Sequence, residues 1–201
     1  MRPALVLLMA YLLGAIPFGF LLVKWKTGRD VRSMGSGNIG ATNVLRATGR
    51  WLGIVTLLLD IGKGYLAVWL AALLTGGDPL WTSAAALAVM AGHAFPAFLK
   101  FKGGKAVASF VRASLYLAPL AVAVALLIFF VVVARTRFIS LGSMVGAVSF
   151  PLAAWLIAHP PWPVQTAAIL AAAFIVWRHK ENITRLRAGT ESVLSLGGRR
   201  S

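Results

Sequence analysis

Three polar segments interrupt an otherwise apolar chain, and their residue types suit the handling of anions. The first, GSGNIGATNVLR, runs from Gly35 to Arg46. Its closely spaced glycines (Gly35, Gly37 and Gly40) let backbone N–H groups converge on an anion, and Ser36, Asn38, Thr42 and Asn43 add neutral donors. Arg46 adds a planar fork matched to phosphate. A flexible interhelical loop also carries Gly, Ser and Asn, but needs no arginine among them. The second segment, GHAFPAFLKFKGGKAVAS, runs from Gly92 to Ser109. It offers His93, then Pro96, which bends the chain, then Lys100, Lys102, Gly103, Gly104 and Lys105. Lysines at a span end also serve as snorkelling anchors, and Lys100 alone needs no more than that. The Lys-Gly-Gly-Lys unit goes beyond anchoring and points to anion binding. The third segment, HKENITRLRAGTE from His179 to Glu191, reads as an amphipathic surface helix with Ile183 and Leu186 towards lipid. It sets His179, Asn182 and Arg185 three residues apart, near one face.

Asp60 and Lys63 lie one turn apart inside an apolar run. Intramembrane charges are costly, so the pair either hides its own charges or belongs to a site. The spacing of Gly35, Gly37 and Gly40 imitates a dinucleotide-binding fingerprint, with Asp60 twenty residues beyond the last glycine. That fingerprint requires a preceding strand and a βαβ unit. Here Lys24–Arg32 is a short basic loop and Asp60 sits within an apolar helix, so the reading is rejected. The chain has no cysteine, which removes disulfides, thiolate metal sites and a cysteine nucleophile; neither metal nor cofactor is expected.

The elements that position these residues are membrane spans. Of 201 residues, 59% are hydrophobic and 12% charged, against roughly 45–50% and 25% in a soluble domain. The net charge of +15 would suit a nucleic-acid binder, but the basic residues are separated by long apolar runs that no soluble module exposes, so no nucleic-acid partner is expected. Four stretches, Ala4–Val23, Trp51–Leu74, Pro79–Leu99 and Phe138–Ala158, approach the ~20 residues that cross a bilayer. Pro163–Trp177 is shorter. No cleavage site follows the first run, so a cleaved signal peptide is not expected. Ala106–Ala134 is one span or two, divided at Pro119.

The distribution of basic residues decides. With Lys24–Arg50 in the cytoplasm, only division at Pro119 puts Lys100–Lys105, Arg135, Arg137 and the basic tail from Arg178 on the same side. The expectation is therefore a single all-α domain, 1–201, of seven transmembrane helices, N-terminus outside and C-terminus cytoplasmic. Its fourth and fifth spans, Ala106–Ala118 and Pro119–Ala134, are short. All three polar segments then fall on the cytoplasmic face.

Together these segments resemble the bacterial integral-membrane glycerol-3-phosphate acyltransferases that use acyl phosphate. That family's pattern runs GSGN-x-GATN-x-LR, D-x-x-KG, GH-x-FP-x-FL-x-FKGGKGVAT and H-x-x-NI-x-RL-x-x-G-x-E. This chain carries its counterparts in the same order: Gly35–Arg46, Asp60 with Lys63-Gly64, Gly92–Ser109 and His179–Glu191. It departs at Ala106 (usually glycine), Ser109 (threonine) and Arg112 (apolar). Ala106 matters if that position takes a positive φ.

The resemblance implies transfer of a fatty acyl group to the 1-hydroxyl of glycerol 3-phosphate, giving lysophosphatidic acid and phosphate at the bacterial inner membrane. It implies Ser36, Gly37, Asn38, Gly40, Thr42 and Asn43 as a phosphate cradle, and Arg46, Lys102 and Lys105, with Gly103 and Gly104, for phosphate and developing charge. His93 is the candidate base or orienting group, so His93, Lys105, Arg46 and Ser36 are the catalytic candidates. His179, Asn182 and Arg185 would close the site, and Asp60, Lys63, Ser143 and Glu191 are further candidates. Membrane lipids and possible docking of a soluble acyl-phosphate-forming enzyme complete the expected partners. Acyltransferases that use thioesters place an Asp five residues after a His; here those positions hold Phe98 and Thr184. The alternative is a membrane transporter of phosphorylated small anions. Transporters favour repeated halves with sites at the midplane, and neither pattern is visible.

Overall fold

The computed structural model describes residues 3–194. The side chain of Arg112, and Arg199 and Arg200 of the basic tail, lie outside the described residues. All regular structure among the described residues is helical. The α-helices are α1 (Pro3–Ala15), α2 (Phe18–Thr27), α3 (Ala41–Thr48), α4 (Arg50–Thr75), α5 (Pro79–Ala94), α6 (Val107–Leu117), α7 (Pro119–Thr136), α8 (Ile139–Ala158), α9 (Trp162–Arg178) and α10 (Lys180–Arg187). Five segments are long and apolar enough to cross a bilayer: Ala4–Thr27, Arg50–Thr75, Pro79–Leu99, Pro119–Thr136 and Ile139–Ala158. Val107–Leu117 and Trp162–Arg178 are shorter apolar helices. The chain is an all-helical, multi-pass membrane protein.

Prolines set the boundaries. Pro119 opens α7 at a first-turn position, where its missing N–H costs nothing, and α6 stops at Leu117. Two expectations need correction. The run Ala4–Val23 is not one uninterrupted helix, because Pro17 removes a donor and crowds the preceding turn, and α1 and α2 meet there at a break. The break frees the Ile16 carbonyl, which accepts a hydrogen bond from Lys63 Nζ at 2.9 Å. Likewise α5 ends at Ala94 rather than at Leu99: Pro96 drives Phe95 out of helical geometry, to φ −131°.

The chain divides between Leu117 and Ala118 into two compact units. In the first, small residues let helices approach closely, the usual solution where lipid supplies no hydrophobic drive between helices. A Cβ on Gly14 would meet the Val89 carbonyl, one on Gly92 the Tyr11 carbonyl, and one on Gly64 the Ser109 backbone. A buried cluster of Val6, Ala10, Ala67, Ala71, Ala85 and Val89 joins α1, α4 and α5. A second cluster of Val23, Val31, Ile39, Val44 and Leu99 is what positions function, because it seats the Gly35–Arg46 loop and the turn after α5 on one apolar floor. In the second unit, Gly142 and Gly146 of α8 face Phe129 of α7 in the same close-packed manner.

Ala106 has φ +60°, the left-handed region in which a Cβ costs roughly 1–2 kcal/mol. Ala106→Gly should therefore raise stability by about 0.5–1 kcal/mol, the relief being partly offset by glycine's larger unfolded-state entropy. Thermal unfolding in detergent checks this, and a lowered midpoint would contradict it.

Candidate functional site

The first polar loop is built around Asn43, which is buried at the start of α3. Its Nδ2 donates to the carbonyls of Val31 (3.2 Å), Met34 (3.0 Å) and Asn38 (2.7 Å), while its Oδ1 accepts from the Ser36 N–H at 2.8 Å. One side chain thus ties residues 31–43 into a fixed bend, with Gly35 and Gly37 at φ +53° and +70°. The Gly37 N–H donates to Met34 O at 3.0 Å, and the Gly40 N–H to Asn38 Oδ1 at 2.8 Å. The N–H groups of Ser36, Gly37 and Gly40 thus make hydrogen bonds within the loop itself. Asn43 and Asn38 shape the loop. The Ser36 side chain and Arg46 are exposed, and Thr42 is half-buried on the first turn of α3.

The second loop folds back on α5. Gly103 N–H donates to Ala94 O at 3.1 Å and Gly104 N–H to His93 O at 3.0 Å. Both glycines donate within the protein, and their lack of a side chain also permits close approach. A Cβ on Gly103 would meet the His93 carbonyl and Pro96, and one on Gly104 would overlap the Nε2 edge of the His93 ring. Lys102 is exposed and Lys105 half-buried on either side of the pair. His93 is therefore a buried imidazole covered by the Lys102–Lys105 loop.

Behind that ring stands a carboxylate. Asp60 Oδ1 lies 3.6 Å from His93 Nδ1 and 2.9 Å from Lys63 Nζ, with all three side chains at most 4% exposed. Ser109 Oγ donates to the Asp60 carbonyl at 3.3 Å. The carboxylate missing five residues after His93 comes instead from α4. The sequence signal for it was an acid inside a span; its partner, 33 residues away, is visible only in three dimensions.

In the second unit the third motif organises around Glu191. Its Oε1 accepts from Ser140 Oγ (2.9 Å) and Asn182 Nδ2 (2.8 Å), and Oε2 from Arg185 Nε (2.8 Å). His179 is buried with Nδ1 2.8 Å from Ile175 O; a carbonyl only accepts, so that nitrogen carries the proton. Asn182 and Arg185 meet on Glu191, an arrangement the spacing alone did not reveal. Ser140, a buried serine among apolar neighbours, carried no sequence signal. Ser143 donates to Ile139 O one turn back at 2.8 Å.

Burial pushes the Glu191 carboxyl up, but hydrogen bonds from Asn182, Arg185 and Ser140 outweigh it and hold it below the ordinary glutamate range. A lowered folded value stabilises the fold at pH values above the unfolded one, about 4.3. That stability is lost as pH falls through the folded value. The thermal midpoint of the wild type should thus fall more steeply below about pH 4.3 than that of Glu191→Gln. Parallel acid profiles would refute the assignment.

The family profile for glycerol-3-phosphate acyltransferase matches residues 4–189. The chain belongs to the glycerol-3-phosphate acyltransferase family. It is 50% identical over 185 residues to the glycerol-3-phosphate acyltransferase of Trichlorobacter lovleyi, covering 91% of this chain and 93% of that one. Identity is 45% over 188 residues with the glycerol-3-phosphate acyltransferase of Desulforamulus reducens, covering 93% and 92%. The crystal structure of PlsY (YgiH), an integral membrane glycerol 3-phosphate acyltransferase, in its glycerol 3-phosphate form is similar at TM-score 0.91 and 36% identity, over 97% of this chain and 96% of that one. Its lysophosphatidic acid form gives 0.88 and 34%. As a member of the glycerol-3-phosphate acyltransferase family, the chain carries two motifs on one apolar floor in its first unit and a third motif gathered on Glu191 in its second.

Proposed function

We propose that this chain transfers a fatty acyl group from acyl phosphate to the 1-hydroxyl of glycerol 3-phosphate, releasing lysophosphatidic acid and phosphate. The observation that carries the reading is the likeness, over 97% of the chain, to an integral membrane glycerol 3-phosphate acyltransferase in its glycerol 3-phosphate form. The chemistry needs little covalent help. The hydroxyl oxygen attacks the acyl carbon, the carbon–oxygen bond to phosphate breaks, and the hydroxyl proton passes to His93 or to the departing phosphate. Because an acyl phosphate already has a good leaving group, positioning and charge stabilisation supply most of the acceleration.

Arg46, Lys102 and Lys105 balance the phosphate charge and the developing oxyanion, and the Ser36 hydroxyl orients a phosphate oxygen. Gly37, Asn38, Gly40 and Asn43 hold the first loop in shape, Thr42 adds a hydroxyl to the phosphate site, and Gly103 and Gly104 let the second loop lie on His93. His179, Asn182 and Arg185 serve as the supporting third motif, with Glu191 keeping Asn182 and Arg185 in register. Domain 1–201 acts as one acyltransferase, since the family match runs through both units. It has seven spans, counting the two short helices, with the N-terminus outside and the active site and C-terminus on the cytoplasmic face of the bacterial inner membrane. The basic loops support that orientation, and a soluble acyl-phosphate-forming enzyme would find its product's acceptor on the same face.

The test is purified full-length protein in detergent with acyl phosphate and glycerol 3-phosphate. Lysophosphatidic acid and phosphate should appear in equal amounts, and no product would overturn the proposal. A reporter fused after Thr136 should read as cytoplasmic; an external reading would overturn the seven-span topology.

A further inference from the structure

We infer that Asp60 is a positioning residue for His93: it holds the imidazole with its proton on Nδ1, so that Nε2 faces the Lys102–Lys105 loop as an acceptor. The inference rests on the acyltransferase reading and deepens it. A carboxylate and an ammonium buried inside a span satisfy one another, and Lys63 balances Asp60 at 2.9 Å without any histidine. The arrangement goes further than that balance. Asp60 presents the same oxygen, Oδ1, to both Lys63 Nζ and His93 Nδ1. An ionised carboxylate only accepts hydrogen bonds, so the ring nitrogen facing it is the one that carries the proton. At 3.6 Å the contact is longer than a formed hydrogen bond, and Asp60 acts on the ring as a buried charge at close range.

The opposite edge of the ring, Nε2, is the edge against which Gly104 packs. The ring thus has one face on a fixed charge and the other on the loop proposed to hold phosphate. Against the ring lie Asp60 of α4, whose Oδ1 Lys63 shares, and Gly104 of the loop. Lys63 is fixed in turn by the Ile16 carbonyl. In a neutral imidazole the proton sits on one nitrogen only, and the hydrogen bond made by that nitrogen decides which. Asp60 is the group in place to decide it.

A single Asp60→Leu change strands a buried ammonium and is a poor test, since removing one partner of a buried pair is strongly destabilising. Asp60→Leu with Lys63→Met removes the pair together, a replacement that is often neutral or stabilising. The double variant is expected to keep its thermal midpoint within a few degrees and KM for glycerol 3-phosphate within about threefold, while kcat falls about ten- to a hundredfold. If Asp60 serves only to balance Lys63, kcat is restored in the double variant and the inference is overturned.

A second measurement reads the ring itself and does not depend on turnover. In full-length protein labelled with [15N]histidine, resonances of the three histidines are separated by His93→Gln, His159→Gln and His179→Gln. Wild-type His93 should show a protonated Nδ1 and a bare Nε2, and the double variant should lose that preference. A wild-type His93 protonated on Nε2 alone would overturn the inference. The two readings fail separately: absence of acyl transfer by the wild type counts against the enzyme assignment, and the tautomer is read whether or not transfer occurs.

Discussion

Gly104→Ala is expected to lower kcat/KM for glycerol 3-phosphate by about a hundredfold or more, with the helices still folded. Gly104 does not adopt a positive φ, so an alanine meets no backbone penalty there and the effect is purely steric. The added Cβ falls on the Nε2 edge of the His93 ring. That ring is 4% exposed and backed by Asp60, so it cannot swing aside into open space. Either the imidazole turns off its axis or the Lys102–Lys105 loop withdraws by about an ångström, and displacements of that size cost roughly a hundredfold when reaction depends on alignment. Steady-state kinetics together with thermal unfolding measure it. A variant within about threefold of wild type would show that the contact between Gly104 and His93 has no part in turnover.

The second large effect concerns stability. Glu191→Ala removes one carboxylate and leaves three donors without it: the buried Ser140 hydroxyl, the buried Asn182 amide and the Arg185 guanidinium. Arg185 is one-third exposed, so water recovers part of its solvation. The two neutral donors are buried and recover little. Stranding buried polar groups costs about 1–3 kcal/mol each, and a total near 3–5 kcal/mol is expected. The loss should appear as a lowered thermal midpoint, larger than that of Ser140→Ala, which removes a single donor. An unchanged midpoint for Glu191→Ala would contradict the hub described here.

The spans were legible in the sequence because apolar length and proline position act locally. The division at Pro119 and the two short helices follow from composition and the placement of arginines and lysines. The break at Pro17 was the exception: the apolar run continues on both sides, and hydropathy does not register a missing hydrogen bond. At the candidate site, residue identity was readable but division of labour was not. Spacing brought Asn43 and the glycines to notice as anion donors, whereas folding spends the Asn43 amide and several of the glycine N–H groups within the protein. The partners of His93 and Glu191, Asp60 and Ser140, lie 33 and 51 positions away. No local pattern encodes such a pairing.

The hydrogen bond from Lys63 to Ile16 has a consequence for biogenesis. The two groups are 47 residues apart, so the first span is synthesised before its partner. Until α4 arrives, the Ile16 carbonyl keeps its contact with the Phe18 N–H at 3.2 Å but lacks the ammonium that completes its bonding. When α4 does arrive it brings Asp60 and Lys63 together, a self-neutralised pair that enters lipid more easily than either charge alone. Completion of the first span is thus coupled to insertion of the second, α4, and the lysine that offsets Asp60 there also seals the bend that preceded it.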